Sequence, residues 1–128
     1  MFFHVESSNG LAIYDQIVRQ VKFAVASESL AAGDLVPSVR ELSRDLAVNP
    51  NTVARAYREL QTEGILAAVR GTGLEITSHA AKRCAQERIS LIRGRLRSVL
   101  TEARRSRLDV DQIRTLVNEE VARLEKKP

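Results

Sequence analysis

A chain of 128 residues with 44% apolar content can fill one modest core with an appendage, and that content argues against a disordered chain. The lone cysteine, Cys84, excludes an intramolecular disulfide and a Cys-rich zinc site; Met1-Phe2-Phe3-His4 lacks a signal-peptide pattern and no stretch approaches a membrane span, so a cytoplasmic location is expected. The net charge of +4 is unevenly placed: residues 1–79 carry seven Lys/Arg against nine Asp/Glu and net −2, while residues 80–128 carry thirteen against seven and net +6.

In chain order, Phe2 to Val5 has the composition of a short strand, and Ser7-Ser8-Asn9-Gly10 that of a turn. Ile13, Ile17, Val21 and Val25 then recur every four residues, with Tyr14 and Val18 widening the stripe. That spacing predicts a helix from Ile13 to about Leu30, with Gly33 as its left-handed stop. The helix carries no distinctive chemistry and is expected to cover the back of the helical pair that comes after it in the chain.

Pro37 to Leu60 reads as two short helices joined by a tight turn. Ser38 with Glu41 is a capping box, and Pro37 prevents a helix from running in from its N-terminal side. Val39, Leu42 and Leu46 share one face of the first helix. Ala47-Val48-Asn49 is a break of helix-turn-helix length, with Asn49 suited to an N-cap and Pro50 to the first helical position. In the second helix Val53, Ala56, Tyr57 and Leu60 follow a buried stripe, while Asn51, Arg55 and Arg58 point almost the opposite way. Any one of these polar residues could simply solvate a helix. Together, on the second helix of such a pair, they have the chemistry that reads base edges and neutralises phosphates.

Beyond Leu60 the period changes. Glu63-Gly64 closes the helix, Ile65 to Val69 reads as a strand, Arg70-Gly71-Thr72-Gly73 as a turn, and Leu74 to Thr77 as a second strand. A hairpin after a helix-turn-helix makes a winged helix, with Arg70 at the wing tip, in reach of phosphate or a minor groove. Since this part of the chain is slightly acidic, DNA binding has to rest on placed arginines rather than on bulk potential.

Residues 80–128 show helical periodicity. Ala85, Ile89, Ile92, Leu96, Val99 and Ala103 step by alternating fours and threes, the seam spacing of a coiled coil, broadened by Leu91 and Leu100 and weakened at Gly94. Asp109 with Gln112 resembles a capping box opening a second helix with the stripe Val110, Ile113, Val117, Val121 and Leu124. Two such helices cannot form a stable domain alone and are expected to pack on each other and on a partner chain, so this seam is expected to dimerise. Arg93, Arg95, Arg97, Arg104, Arg105 and Arg107 surround it, and are read as a solvated face paired to acidic neighbours, with added DNA affinity as the alternative.

Catalysis finds no support. His4 and His79 are the two histidines, no nucleophile–base or paired-carboxylate arrangement stands out, and His79 with Cys84 lacks a third metal ligand. No catalytic residue, metal or cofactor is expected.

The chain resembles the GntR family of bacterial transcription regulators. The resemblance rests on Tyr14-x-Gln16-Ile17, Gly33, Pro37-Ser38-x-Arg40-Glu41-Leu42, Thr52-Val53, Ala56-Tyr57-x-x-Leu60, Glu63-Gly64 and Gly71-x-Gly73, over roughly residues 11–77. The run Val48 to Val53 and the short tail are similar to the YtrA-type branch. The resemblance implies that Arg40, the start of the recognition helix and the wing turn contact DNA. Pro50 stands where many members carry an arginine, so no contact is carried over there; Val36 and Ala12 depart from the usual Leu and Pro.

The expected fold is mainly α with a small β-hairpin: a winged helix-turn-helix DNA-binding domain over residues 1–78 and a two-helix dimerisation tail over residues 79–128. Within the first, the helix-turn-helix spans about 38–62 and the wing about 65–77. The residues expected at DNA are Ser38, Arg40, Asn49, Asn51, Thr52, Arg55, Arg58, Arg70, Gly71 and Thr72. The expected function is a sequence-specific transcription regulator, a repressor bound as a homodimer to an inverted-repeat operator. By the resemblance, it controls a transporter operon or its own. The alternative is a winged helix serving as a protein–protein module, its polar helix face docked on an acidic partner; salt-dependent, sequence-specific duplex binding separates the two.

Overall fold

The computed structural model describes residues 3–8 and 10–126. The elements within them are α1 (Ile13–Ala26), α2 (Val39–Leu46), α3 (Pro50–Thr62), β1 (Leu66–Val69), β2 (Gly73–Ile76), α4 (Ala80–Arg105) and α5 (Val110–Glu125). They form two compact units, divided between Arg88 and Ile89 inside α4. The domain edge read from the sequence coincides with the start of α4, whose first turns complete the first unit's core through Ala80 and Cys84.

In the first unit, α1, α2 and β1 all pack against α3. Ile17, Val21, Leu42, Val53, Leu60 and Ile65 are fully buried between them. Each such aliphatic side chain contributes about 2 kcal/mol by leaving water. Two sequence expectations change here. First, α1 ends at Ala26, four residues early, because the every-fourth-residue stripe that ends at Val25 would next place Ser29, and Ser27, Glu28 and Ser29 face solvent. Its left-handed stop is Glu28, with φ 65, and not Gly33. The N–H groups of Glu28 and Ser29 donate to the carbonyls of Val25 and Ala24 at 3.1 and 2.8 Å, a Schellman closure. Gly33, with φ 89, serves a later turn, where its N–H donates to the Ile76 carbonyl.

Second, Phe3 to Val5 is not a strand, and Phe2 lies outside the described residues. The extended segment is instead bound to α1 by two glutamine side chains. Gln16 accepts from the Glu6 N–H and donates to the Glu6 and Leu11 carbonyls at 2.8–2.9 Å. Gln20 accepts from the His4 N–H and donates to the His4 carbonyl. Backbone groups paired in this way satisfy the requirement that sheet pairing would otherwise meet.

The hairpin forms as read. Leu66 faces Ile76 and Val69 faces Gly73 in an antiparallel register, with Arg70-Gly71-Thr72 between the strands. Gly71 and Gly73 take φ 75 and 133, conformations that glycine adopts without a Cβ penalty. A third ribbon joins the outer edge of β2: Leu35 bridges Glu75, the Val36 N–H donates to the Leu74 carbonyl, and the Ile76 N–H donates to the Asp34 carbonyl.

A charge cluster closes the first unit. Lys22 Nζ, on α1, donates to Glu63 at the C-cap of α3 (2.8 Å) and to Glu87 on α4 (3.0 Å). Arg83 pairs with Glu87 at 3.1 Å and donates to the Glu63 backbone carbonyl. Burial opposes the Lys22 charge, yet the two carboxylates outweigh it and hold the ammonium above its ordinary range. For Glu87 burial likewise favours the neutral acid, and hydrogen bonds from Lys22 and Arg83 override it, holding the carboxyl below its ordinary range. Burial pushes the Cys84 thiol up.

The second unit comprises α4 from Ile89 onward and α5. Gly94 does not interrupt α4. Arg107 turns the chain with φ 73, and Asp109 with Gln112 forms the expected capping box at 2.8 and 2.9 Å. None of the described α5 residues is buried. Leu96, Val99, Leu100 and Ala103 face Ile113, Leu116, Val117, Val121 and Leu124 across an apolar groove of about 390 Å³. Arg93, Arg97, Arg104, Arg105 and Arg107 are exposed and have no carboxylate partner among the described residues, so the acidic pairing expected of this face is not formed by these five.

The cluster makes a signed prediction. Lys22→Met leaves two partly buried carboxylates facing each other and is expected to cost about 2 kcal/mol in a urea titration near neutral pH. Glu87, lowered in the folded state, stabilises above its ordinary value of 4.5 and loses that contribution as pH falls through the folded value. Lys22, raised in the folded state, stabilises fully below 10.5 and loses its contribution only as pH rises through its folded value. The acid limb of the stability–pH curve should therefore be shallower in Lys22→Met than in the parent chain.

Candidate nucleic-acid interface

The candidate surface is built from α2, the turn, α3 and the hairpin tip, all in the first unit. Ser38 caps α2: its hydroxyl accepts from the Glu41 N–H and the Glu41 carboxylate accepts from the Ser38 N–H, both at 3.0 Å. Hydrogen bonding from Ser38, led by its backbone N–H, holds the Glu41 carboxyl below its ordinary range. Arg40 follows in the first turn of α2 and is exposed. Ala47, with φ 55, ends α2 in the left-handed region, and Asn49 begins α3 by accepting the Asn51 N–H at 2.8 Å, with Pro50 at the first helical position.

On α3 the division into two faces holds. Val53, Ala56, Tyr57 and Leu60 are buried, while Asn51, Arg55 and Arg58 are exposed and Thr52 is half-buried. Arg70, Gly71 and Thr72 are exposed at the hairpin tip, and the Thr72 N–H donates to the Val69 carbonyl at 2.9 Å. Ser38 and Thr72 line one groove of about 630 Å³, which brings the start of α2 and the wing turn to a common concavity.

The electrostatics separate two groups of cations within this unit. Arg19, Lys22 and Arg83 are matched to Asp15, Glu63 and Glu87. Arg40, Arg58 and Arg70 make no side-chain hydrogen bond or ion pair among the described residues. Arg55 makes none either, but its guanidinium carbon lies 3.7 Å from the centroid of the Tyr14 ring on α1. Sequence periodicity counted Tyr14 only as part of an apolar stripe. Nothing in the local pattern links positions 14 and 55, and only the packing of α1 on α3 brings them together.

Comparison with known proteins decides what this surface belongs to. Residues 13–76 match the family described as bacterial regulatory proteins, gntR family. The chain is 30% identical over 115 residues to the HTH-type transcriptional repressor YtrA of Bacillus subtilis, covering 90% of this chain and 88% of that one. The chain belongs to the GntR family. Among solved structures, a GntR family transcriptional regulator from Listeria monocytogenes superimposes with a TM-score of 0.66 at 31% identity, covering 88% of this chain and 97% of that one. YtrA from Sulfolobus acidocaldarius, described as a GntR-family transcription factor, does so with a TM-score of 0.56 at 31% identity over 71% of this chain and 94% of its own.

The GntR chain is therefore a DNA-binding transcription regulator with a winged-helix fold, and not an enzyme. The reading as a protein–protein module is not favoured. No helix among the described residues is long and apolar enough to cross a membrane.

Because Ser38 and Asn49 both cap helices, their truncation should first be read as a folding effect. Ser38→Ala and Asn49→Ala are each expected to lower stability by about 1 kcal/mol in chemical denaturation. Unchanged denaturation midpoints would show that neither cap stabilises its helix.

Proposed function

We propose that this GntR chain is a cytoplasmic homodimeric repressor that binds an inverted-repeat operator, with the first unit reading DNA and the second holding the dimer. The observation that carries the DNA-reading half is the exposed Asn51, Arg55 and Arg58 face of α3, set opposite its buried stripe and flanked by the unpaired Arg40 and Arg70. Asn51, Thr52 and Arg55 read bases, with Arg58 beside them, while Arg40, Arg70 and the Gly71-Thr72 turn hold the backbone together with the two helix caps. Similarity to relatives named as repressors supports the sign of regulation.

The dimer reading rests on apolar surface left over. Ile89, Ile92, Leu96 and Val99 are 58, 51, 50 and 55% exposed, and α5 exposes Leu116 and Val121 as well. Charge supports pairing between copies. From Arg93 to Arg107 the chain carries six arginines against Glu102, while α5 carries Asp111, Glu119, Glu120 and Glu125 against Arg114 and Arg123. A two-fold pairing that sets the arginine-flanked face of one copy on the acidic helix of the other satisfies both, and it presents two recognition helices to a palindromic site. Control of a transporter operon, or of its own, follows the resemblance to the YtrA-type branch.

Selection of bound fragments from the source genome identifies the operator, and two measurements then test the assignment. Arg55→Ala is expected to cost about 1–3 kcal/mol on that operator, whereas Arg40→Ala and Arg70→Ala should weaken all duplexes alike and each flatten the salt slope by about one unit. Salt slopes that stay parallel to the parent's would remove those two arginines from the phosphate contacts.

Leu96→Glu in the full chain tests the dimer, because it places a charge in the seam. A monomer by light scattering, with operator binding weakened about a hundredfold or more through loss of the second half-site, is the expected result. A Leu96→Glu chain that stays dimeric at full affinity assigns the tail another role.

A further inference from the structure

We infer that Tyr14 is a positioning residue for Arg55 in operator recognition, a role that rests on the reading of Arg55 as a base-contacting residue. The ring belongs to the first turn of α1 and is half-buried against the core, so its own position is fixed. The Arg55 guanidinium carbon sits over that ring at 3.7 Å from its centroid. Attraction of this kind uses the face of the cation and leaves the N–H donors, which lie in the guanidinium plane, free at its edge. Those donors are unspent: Arg55 makes no hydrogen bond or ion pair among the described residues.

An exposed arginine on a helix samples many rotamers, and a bidentate contact to a base requires one of them. Holding the side chain by its face removes that search before DNA arrives, which is preorganisation of a specific contact without any loss of its hydrogen-bonding capacity. The Tyr14 hydroxyl has no hydrogen-bond partner among the described residues, so the ring and not the phenol group is what α1 offers Arg55. Stacking on a fixed ring therefore bears on discrimination at the base Arg55 reads, and leaves the sequence-independent phosphate contacts untouched.

The test uses the full chain and two probes: the duplex that the parent protein enriches from a randomised library, and a random-sequence duplex of equal length. Tyr14→Leu should weaken the enriched duplex by about two- to fivefold, the strength of an exposed cation–π contact, with the random duplex unchanged. Tyr14→Phe should restore parental binding, and Tyr14→Leu should add nothing in an Arg55→Ala background. The ratio between duplexes cancels any unfolded fraction, which lowers both signals alike. Equal losses on both duplexes, an equal loss in the Arg55→Ala background, unchanged binding by Tyr14→Leu, or tighter binding once the ring is gone would each overturn the role. Failure to enrich any duplex would overturn the operator reading itself, and it is recognised before any variant is made.

Discussion

Everything at the candidate surface depends on which way α3 is allowed to face. Val53, Ala56, Tyr57 and Leu60 are at most 2% exposed, and rotating the helix to expose that stripe would forfeit several kcal/mol of burial. Asn51, Arg55 and Arg58 are outward because the stripe is inward. Tyr57 adds a second lock. Its hydroxyl donates to the Pro37 carbonyl at 2.7 Å, tying the middle of α3 to the residue before the cap of α2. Burial pushes the phenol far above its ordinary range, which favours the protonated, donating form. One buried hydroxyl thus links α3 to the segment before α2 in addition to the packing between the helices.

The slightly acidic charge of the winged helix stops being a puzzle once its groups are assigned. Within residues 1–79, Asp15 and Glu63 are committed to Arg19 and Lys22, and Glu41 to the cap of α2, while Glu87 on α4 adds a second carboxylate to Lys22. The arginines left without carboxylates include Arg40, Arg58 and Arg70. Net charge averages over cations that build the fold and cations that remain available, and only the second kind bears on a phosphate backbone. The Lys22 cluster also ties α1, the end of α3 and the start of α4 into one unit, so the same ion pairs that remove charge from the surface hold the recognition helix at its far end.

What could be read in the sequence was local or periodic. Ser38 with Glu41, Asn49 with Pro50, and Asp109 with Gln112 act within three residues, and all three caps form. The stripes on α1 and α3 and the Gly71–Gly73 turn announce themselves by spacing. What escaped was non-local or too short. Lys22 meets Glu63 and Glu87 across 41 and 65 residues, and no pattern marks a lysine within an apolar helix as paired. Leu35 and Val36 join the hairpin as a ribbon too brief to show a period. Gln16 and Gln20 lie on α1 outside its apolar stripe, and no local pattern shows that they bind the N-terminal segment. The end of α1 was misplaced because Gly33 is the stronger stop signal, while the chain turned at Glu28, where the apolar stripe ran out. On α3 the outward placing of Asn51, Arg55 and Arg58 was legible, but the ring that Arg55 meets was not.

Pro50 has a consequence at the start of the recognition helix. A free helix N-terminus offers backbone N–H groups to an anion. Here those donors are already occupied. Pro50 has no N–H, the Asn51 N–H donates to the Asn49 side chain, and the Thr52 and Val53 N–H groups donate to the Asn49 carbonyl at 2.9 and 3.4 Å. A duplex approaching this end of α3 therefore meets side chains and no unspent backbone donor from the first turn. Asparagine and arginine side chains are of the kind that discriminates between bases, whereas backbone N–H groups at a phosphate do not. At this helix end the backbone donors are thus spent within the fold, while Arg40 at the start of α2 and Arg70 at the hairpin tip are exposed cations with no partner among the described residues.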